Sequence, residues 1–353
     1  MKRFLAALIA CTLIFALTAC GGGNSSPAPS STAPESKTES STAPQTTAKP
    51  GEGIKVALIA SSSGLGDRSF NDSAWAGFEK AAEEFGVEIK AIEPKSPADY
   101  VTSATSLANG GYDLIFAVGN DWGDTIKEVA PQFPDTKWLG LNYDAEGDNV
   151  LIARTADPEI GFLAGALAAM VSESNTVGFI GGKDVPSINR MEVGYEEGAK
   201  YVNPDITYYG TYVGAFDDPV KGKEFALQLI SQGADVIFHA AGKSGEGLFE
   251  AVRSTDGVYA IGVDSNQDYI VEGRVLTTAQ KRLDIISYET IKSVVEGSFA
   301  AGNKVYGLAE GGVSLTDFAF TKDVIGEENL NAIKELQDKI ISGEIKVTDI
   351  YNQ

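Results

Sequence analysis

Short runs of apolar, mostly β-branched residues alternate with amphipathic stretches from residue 54 onward, and this alternation constrains the fold more than any other feature. Continuous apolar strands alternating with helices of about ten or more residues are typical of parallel sheets covered on both faces. The chain is therefore predicted to be an α/β protein. The predicted strands are Ile54–Ala60, Val87–Ile92, Leu114–Val118, Trp138–Leu141, Val177–Ile180, Ile206–Tyr212, Val236–His239 and Val258–Ile261. The predicted helices are Ala74–Phe85, Ala98–Ala108, Asp124–Phe133, Pro158–Met170, Ser187–Val202, Pro219–Ser231 and Ser244–Ser254.

These strand–helix units fall into two sets, which predicts two doubly wound parallel-sheet lobes. The tail after residue 278 adds a helix at Leu283–Val295, two short strands and a last helix at Glu327–Ile341, too little for a third domain. We expect the tail to complete both sheets, so that several crossings form a hinge. The expected first lobe is residues 54–155 plus part of 279–310, and the second is residues 156–278 plus 311–353. In such sheets ligands bind outside the carboxyl ends of the strands.

The N-terminus has the layout of a secretory signal peptide over residues 1–19, with Lys2 and Arg3 before an apolar run. Ala19-Cys20 resembles the lipobox of bacterial lipoproteins, which implies lipid transfer to Cys20 and anchoring on the extracytoplasmic face of the cell membrane. The alternatives are a plain signal peptide with an incidental cysteine, or a single anchor helix. Residues 20–53 are rich in Gly, Ser, Thr, Pro and Ala, which predicts a disordered tether.

The charge and cysteine content exclude several classes of partner and site. The formal charge is −21, which argues against nucleic acid and against a polybasic grip on anionic lipid. Cys11 and Cys20 are the only cysteines, so cleavage and acylation would leave no disulfide. His239 is the single histidine and ends an apolar strand, where packing is the favoured interpretation. We expect no metal and no cofactor.

The loop after the first strand is the most distinctive candidate for ligand contact, running from Ser61 through Phe70 and Asn71. Its small residues let backbone N–H groups approach a ligand, and Phe70 offers a ring face for a flat molecule. The amide of Asn71 can read polar edges. The alternative is that Phe70 packs in the core and that Asn71 or Asp72 only caps a helix beginning near Ser73.

Four further segments follow predicted strands, one in the first lobe and three in the second. Asp121, Trp122 and Asp124 crowd a turn after the third strand, although Asp124 also suits a helix cap. In the second lobe, Gly242 follows one strand, and Asp264 and Lys281 follow two others. A carboxylate accepts two hydrogen bonds from adjacent hydroxyls, as a ribose or sugar diol offers. The alternative for Asp264 and Lys281 is a structural ion pair across a crossing.

The chain resembles the basic membrane protein family of nucleoside-binding lipoproteins, over nearly all of the sequence after the tether. The motifs that carry the resemblance are Gly66-Asp67-Arg68-Ser69-Phe70-Asn71, Gly119 through Asp124, Val177 through Gly182, Ile188 through Gly198, Ala240-Ala241-Gly242, Gly262-Val263-Asp264 and Lys281-Arg282-Leu283-Asp284.

The resemblance implies a two-lobed fold of the periplasmic-binding-protein-like type I, with a ligand clamped between the lobes. It implies that Phe70 stacks on a base whose polar edge bonds Asn71 and Asp124. It also implies that Asp264 and Lys281 hold the ribose beside the backbone of Gly242. The implied partners are the permease and ATPase of an ABC importer, with a purine nucleoside favoured as ligand.

Two positions depart from the family pattern. Ser61 stands where the family usually has an aspartate, and Met191 stands where it usually has a second stacking aromatic. A thioether still packs on a ring, and Trp122 is an alternative source of the second face. Losing a charged acceptor costs roughly 1.5–3 kcal/mol.

Three other functions remain as alternatives at this point. A sugar or autoinducer receptor of the same fold is the first alternative. An exported nucleoside hydrolase would use the carboxylates near Asp121 and Asp124, although no nucleophile elbow or metal cluster accompanies them. A surface sensor or adhesin is the third alternative. The favoured hypothesis is a binding protein without catalytic activity.

Overall fold

The computed structural model describes residues 48–350, apart from the side chain of Asn120. The signal peptide, Cys20 and most of the predicted tether lie outside these residues. The last tether residues belong to the folded part, because Gly51 is buried and its N–H donates to the Phe85 carbonyl at 2.8 Å. Within the described range no helix combines the length and apolar character that a membrane crossing requires.

The first sheet has six strands in the order β11-β5-β4-β3-β1-β2, all parallel. Its strands are β1 (Lys55–Ile59), β2 (Glu88–Ile92), β3 (Leu114–Ala117), β4 (Lys137–Leu141), β5 (Val150–Thr155) and β11 (Gly302–Tyr306). One face packs on α1 (Phe70–Phe85) and α8 (Leu283–Val295), and the other on α2 (Tyr100–Asn109) and α3 (Gly123–Val129). Apolar burial on both faces explains why the inner strands β1, β3, β4 and β5 are largely hydrophobic.

The second sheet also has six strands, in the order β12-β10-β9-β8-β6-β7, and only β12 runs antiparallel to its neighbour. The strands are β6 (Thr176–Gly181), β7 (Thr207–Tyr212), β8 (Val236–Ala240), β9 (Tyr259–Val263), β10 (Val275–Lys281) and β12 (Val313–Leu315). One face packs on α4 (Asp157–Val171), α5 (Pro186–Val202) and α10 (Glu327–Ile341), with α9 (Lys322–Ile325) beside them. The other packs on α6 (Pro219–Ser231) and α7 (Glu246–Arg253).

Three crossings join the sheets: from β5 into α4, from β10 into α8, and from β11 to β12. The two tail strands therefore join different sheets. The prediction of an α/β fold with two doubly wound lobes is confirmed.

The start of α1 was predicted wrongly, because the helix begins at Phe70 rather than near Ser73. Neither Asn71 nor Asp72 caps it; the carboxylate of Asp67 accepts the N–H groups of its first residues.

Candidate functional site

A cavity lies where the carboxyl ends of strands from both sheets meet, as expected for open parallel sheets. Its empty space is about 690 Å³, a volume that includes open solvent at the mouth. The lining residues are Ser61, Ser62, Ser63, Phe70, Gly119, Asp121, Lys183, Val185, Ser187, Ile188, Phe216, Ala240, Gly242, Val263, Asp264 and Lys281.

The loop between β1 and α1 presents Ser61 and Phe70 to this cavity. Asn71 is fully buried behind them and holds the loop in shape. Its side-chain N–H donates to Ser61 Oγ at 2.9 Å and to Asp67 Oδ2 at 2.8 Å, while its oxygen accepts the Ser61 N–H at 2.9 Å. Asn71 therefore braces the loop and does not line the cavity, because its amide is already bonded within the loop.

Asp264 enters the cavity from the second lobe, directly after β9. The side chain is buried, and Ser69 Oγ of the first lobe donates a hydrogen bond to its Oδ2. Burial raises the pKa of the Asp264 carboxyl to about 6, although Lys281 and the Ser69 hydroxyl act to lower it. Its backbone has a φ of +64°, a conformation that costs a non-glycine residue energy and is concentrated at functional sites.

Lys281 lies at the end of β10 and is also buried, with its ammonium Nζ 5.8 Å from the centre of the Phe70 ring. It forms an ion pair with Asp157 Oδ1 at 3.0 Å. The structural-ion-pair alternative is thus partly correct, with Asp157 rather than Asp264 as the partner. Lys281 still lines the cavity.

Gly242 and Phe216 form the wall contributed by the loops after β8 and β7. Gly242 has a φ of +54°, the left-handed region that favours glycine. Lys183 lies in the same wall, with its ammonium 5.6 Å from the centre of the Phe216 ring. The second lobe therefore offers an aromatic ring to the cavity that Phe70 lines from the first lobe.

Besides Asn71, three residues predicted to contact ligand lie outside the cavity. Trp122 is fully buried in the first lobe and stacks on Tyr100 with ring centres 4.0 Å apart, so it offers no free face. Met191 is buried in the core of the second lobe. The side chain of Asp124 is exposed and lies 3.6 Å from Lys127, one turn along α3. Asp121 occupies the cavity wall instead.

Phe216 is the main residue that the sequence analysis missed. The signal was available, because β7 was predicted to end at Tyr212 and the loop after any parallel strand faces the ligand side. The second ring face was predicted at the position of Met191 instead, but Met191 lies on the buried face of α5, in the core. Lys183 was not among the predicted ligand contacts either.

The described lining of the cavity includes neither a histidine nor a cysteine. Within residues 48–350 no group of His, Cys, Asp and Glu has a geometry that could hold a metal ion. His239 is fully buried next to Ala240, which lines the cavity. Its Nε2 lies 3.1 Å from Gln267 Oε1, and its ring is edge-on to Phe249. Burial lowers the pKa of His239 to about 4, which keeps the ring neutral. The site combines ring faces, hydroxyls and one buried carboxylate, which are features of a binding site.

Comparisons with known proteins agree with this geometry. A family model described as "ABC transporter substrate-binding protein PnrA-like" (Bmp) matches residues 54–351. An ABC transporter nucleoside-binding protein, BmpA, of Lactococcus lactis is 32% identical over 83% of this chain and 89% of its own length. A lipoprotein of Pyrococcus furiosus is 32% identical over 84% of this chain and 81% of its own.

Among solved structures, an ABC transporter solute-binding protein from Aeropyrum pernix superposes with a TM-score of 0.78 at 30% identity. The match covers 85% of this chain and 94% of that one. The resemblance noted in the sequence and the two-lobed fold are thereby confirmed. The chain belongs to the Bmp family of ABC transporter substrate-binding proteins.

Proposed function

We propose that this protein captures a nucleoside, preferably a purine nucleoside, in the cavity between its lobes and delivers it to an ABC permease and ATPase. The observation that carries the proposal is one cavity lined by Phe70, Phe216 and the buried carboxylate of Asp264. An aromatic ring from each lobe suits a flat heterocycle, and a purine offers a larger face than a pyrimidine. Asp264 accepts hydrogen bonds from the paired hydroxyls of the ribose.

The first experiment compares ligands by titration calorimetry with the purified folded part. Guanosine and inosine are expected to bind more tightly than uridine, and free ribose is expected not to bind. Binding of ribose without any nucleoside would overturn the proposal and favour the sugar-receptor alternative. The name of the Lactococcus relative supports the choice of ligands.

A variant tests the stacking role directly. Phe216→Ala is expected to weaken guanosine binding by about 5-fold to 150-fold, since stacking on one aromatic side chain contributes about 1–3 kcal/mol per base. Phe216→Trp should retain most of the affinity. Phe320→Ala is the control, because Phe320 is 43% exposed and does not line the cavity. Equal losses of guanosine affinity in Phe216→Ala and Phe320→Ala would remove stacking from the proposal.

We also propose that the mature protein is held on the extracytoplasmic face of the cell membrane by lipid on Cys20. The lipobox-like end of the signal peptide and the lipoprotein relative from Pyrococcus support this. Labelled palmitate is expected to enter the wild type but not Cys20→Ala, which should be lost from the anchored fraction. Equal labelling of both proteins would contradict the anchor.

A further inference from the structure

Asp157 lies behind the cavity wall, at the crossing from β5 into α4, and is completely buried. Groups from both lobes converge on its carboxylate. Thr155 Oγ1 donates to Oδ1 at 2.7 Å, and the Asn142 amide lies 3.4 Å from Oδ2. From the second sheet, Lys281 Nζ lies 3.0 Å from Oδ1. Asp157 itself does not line the cavity.

The position of the Lys281 ammonium depends on this carboxylate. The Lys281 side chain is 4% exposed, and a buried ammonium requires a partner of opposite charge. Asp157 provides the one ion pair that Lys281 makes within residues 48–350. The four-carbon stem of lysine is flexible, so contacts of this kind fix the position of its charged end.

A second ion pair braces Asp157 from the far side. Arg190 NH1 lies 3.5 Å from Asp157 Oδ2, and the same guanidinium forms two 2.8 Å hydrogen bonds with the carboxylate of Asp349. Two parallel bonds of this kind fix the orientation of both groups. Asp349 lies in the C-terminal segment, outside the cavity.

We propose that Asp157 is the positioning residue of the cleft, holding Lys281 in the cavity wall beside Asp264, with the Asp349–Arg190 pair holding Asp157 in turn. A residue near the C-terminus thereby influences ligand affinity without contacting the ligand. The effect on affinity rests on the proposed nucleoside binding, whereas the effect on Lys281 does not.

The first test measures guanosine affinity by calorimetry. Asp157→Asn preserves shape but removes the charge, and it is expected to raise the Kd about tenfold or more, the effect of losing a charged partner. Asp235→Asn is the matched control. Asp235 accepts hydrogen bonds from Ser172, Glu173 and Ser174 at the amino end of β8, far from the cavity, so its Kd should stay within about twofold of wild type.

The second test needs no ligand and reads the position of Lys281 itself. Acetylation of Lys281 by a soluble N-hydroxysuccinimide ester, followed by mass spectrometry, is expected to be slow in the wild type and in Asp235→Asn. It should be several-fold faster in Asp157→Asn, because the released side chain reaches solvent. A merely structural role would lower the melting temperature of Asp157→Asn without selective labelling of Lys281.

Asp349→Asn keeps the proposal testable if Asp157→Asn fails to fold. Its carboxylate is partly exposed, so the expected rise in Kd is roughly twofold to fivefold, with faster Lys281 acetylation. Wild-type labelling rates in every folded variant would overturn the proposal. Absence of guanosine binding to the wild type, combined with the expected labelling pattern, would instead remove the proposed function and leave the positioning role intact.

Discussion

At the scale of single residues, Asp264 shows the conflict between stability and binding most clearly. An ionised carboxylate in a buried site loses hydration that its few partners only partly replace. Its pKa of about 6 in the folded protein lies above the ordinary aspartate value of 3.8. Between pH 3.8 and about 6 the folded protein therefore binds a proton at Asp264 that the unfolded chain has already lost. The group stabilises the fold most at low pH, and that contribution is lost as the pH rises through 6.

We predict that Asp264→Asn makes the protein more stable but unable to bind guanosine. At pH 7 the free energy of unfolding should rise by about 1–3 kcal/mol, because the buried charge is gone. The difference should shrink towards pH 4, where Asp264 is protonated in the wild type. Urea unfolding at both pH values measures it, and a variant less stable than wild type at pH 7 would contradict it.

The same titration predicts the pH dependence of binding. The ionised carboxylate accepts hydrogen bonds from hydroxyl groups, whereas the protonated form loses part of that capacity. Guanosine affinity of the wild type should therefore fall as the pH drops below about 6. Calorimetry at pH 5 and pH 7.5 tests this, and affinities that agree within about twofold would exclude Asp264 as the acceptor.

The sequence identified some cavity residues and misplaced others for a physical reason. Asp264 directly follows β9, Lys281 ends β10, and Phe70 lies at the start of the helix after β1, so strand polarity assigns all three to the ligand side. Trp122 and Met191 lie on helical turns whose facing depends on packing. A one-residue difference in a turn separates Asp121 in the cavity wall from Trp122 in the core.

At the scale of elements, α4 and α5 pack backbone to backbone through glycines. A Cβ atom added to Gly161 or Gly165 would overlap the carbonyl groups of Met191 or Tyr195. Gly194 and Gly198 of α5 face carbonyl groups of α4 in the same way. The close approach lets α4 be buried on nearly all sides, which matches its apolar sequence.

We predict that Gly165→Ala destabilises the protein by about 1–3 kcal/mol, the usual cost of overpacking. The sign of the change in unfolding free energy is informative, because replacing glycine by alanine in a helix without such a contact stabilises the protein by about 1 kcal/mol. Urea unfolding measures the change. Lys200→Ala is the control on the exposed face of α5, where loss of the Glu196 pair should cost no more than about 0.5 kcal/mol. A Gly165→Ala protein as stable as wild type would disprove the close contact.

Element positions were largely predictable because period and length distinguish buried strands from amphipathic helices. The predicted strand Val236–His239 ends within one residue of β8 (Val236–Ala240). The error in the predicted start of α1 has a specific cause. Its capping carboxylate, Asp67, lies inside a loop and reaches the helix through a loop conformation that local sequence patterns do not encode.

At the scale of the whole molecule, the two lobes are already in contact beside the cavity. The Gln267 side chain donates to the Arg68 carbonyl at 3.0 Å, and the Ser265 hydroxyl donates to the Ser69 carbonyl at 2.8 Å. Arg68 has a φ of +50°, so a strained residue lies at this junction as well as at Asp264. The pairing of loops from both sheets was not predictable, because it depends on the geometry of three crossings.

We predict that guanosine stabilises both lobes together, since the proposed site takes residues from each. Ligand in hundredfold excess over its Kd adds about 2.7 kcal/mol to the free energy of unfolding of whatever unit binds it. In differential scanning calorimetry the lowest unfolding transition of the folded part should therefore move up by several degrees, because unfolding of either lobe destroys the site and releases the ligand. Asp264→Asn, which lacks the ribose acceptor, should show no shift at the same concentration. A lowest transition that stays in place in excess guanosine, while a higher one moves, would show that the ligand binds one lobe only and would rule out a clamp formed by both sheets.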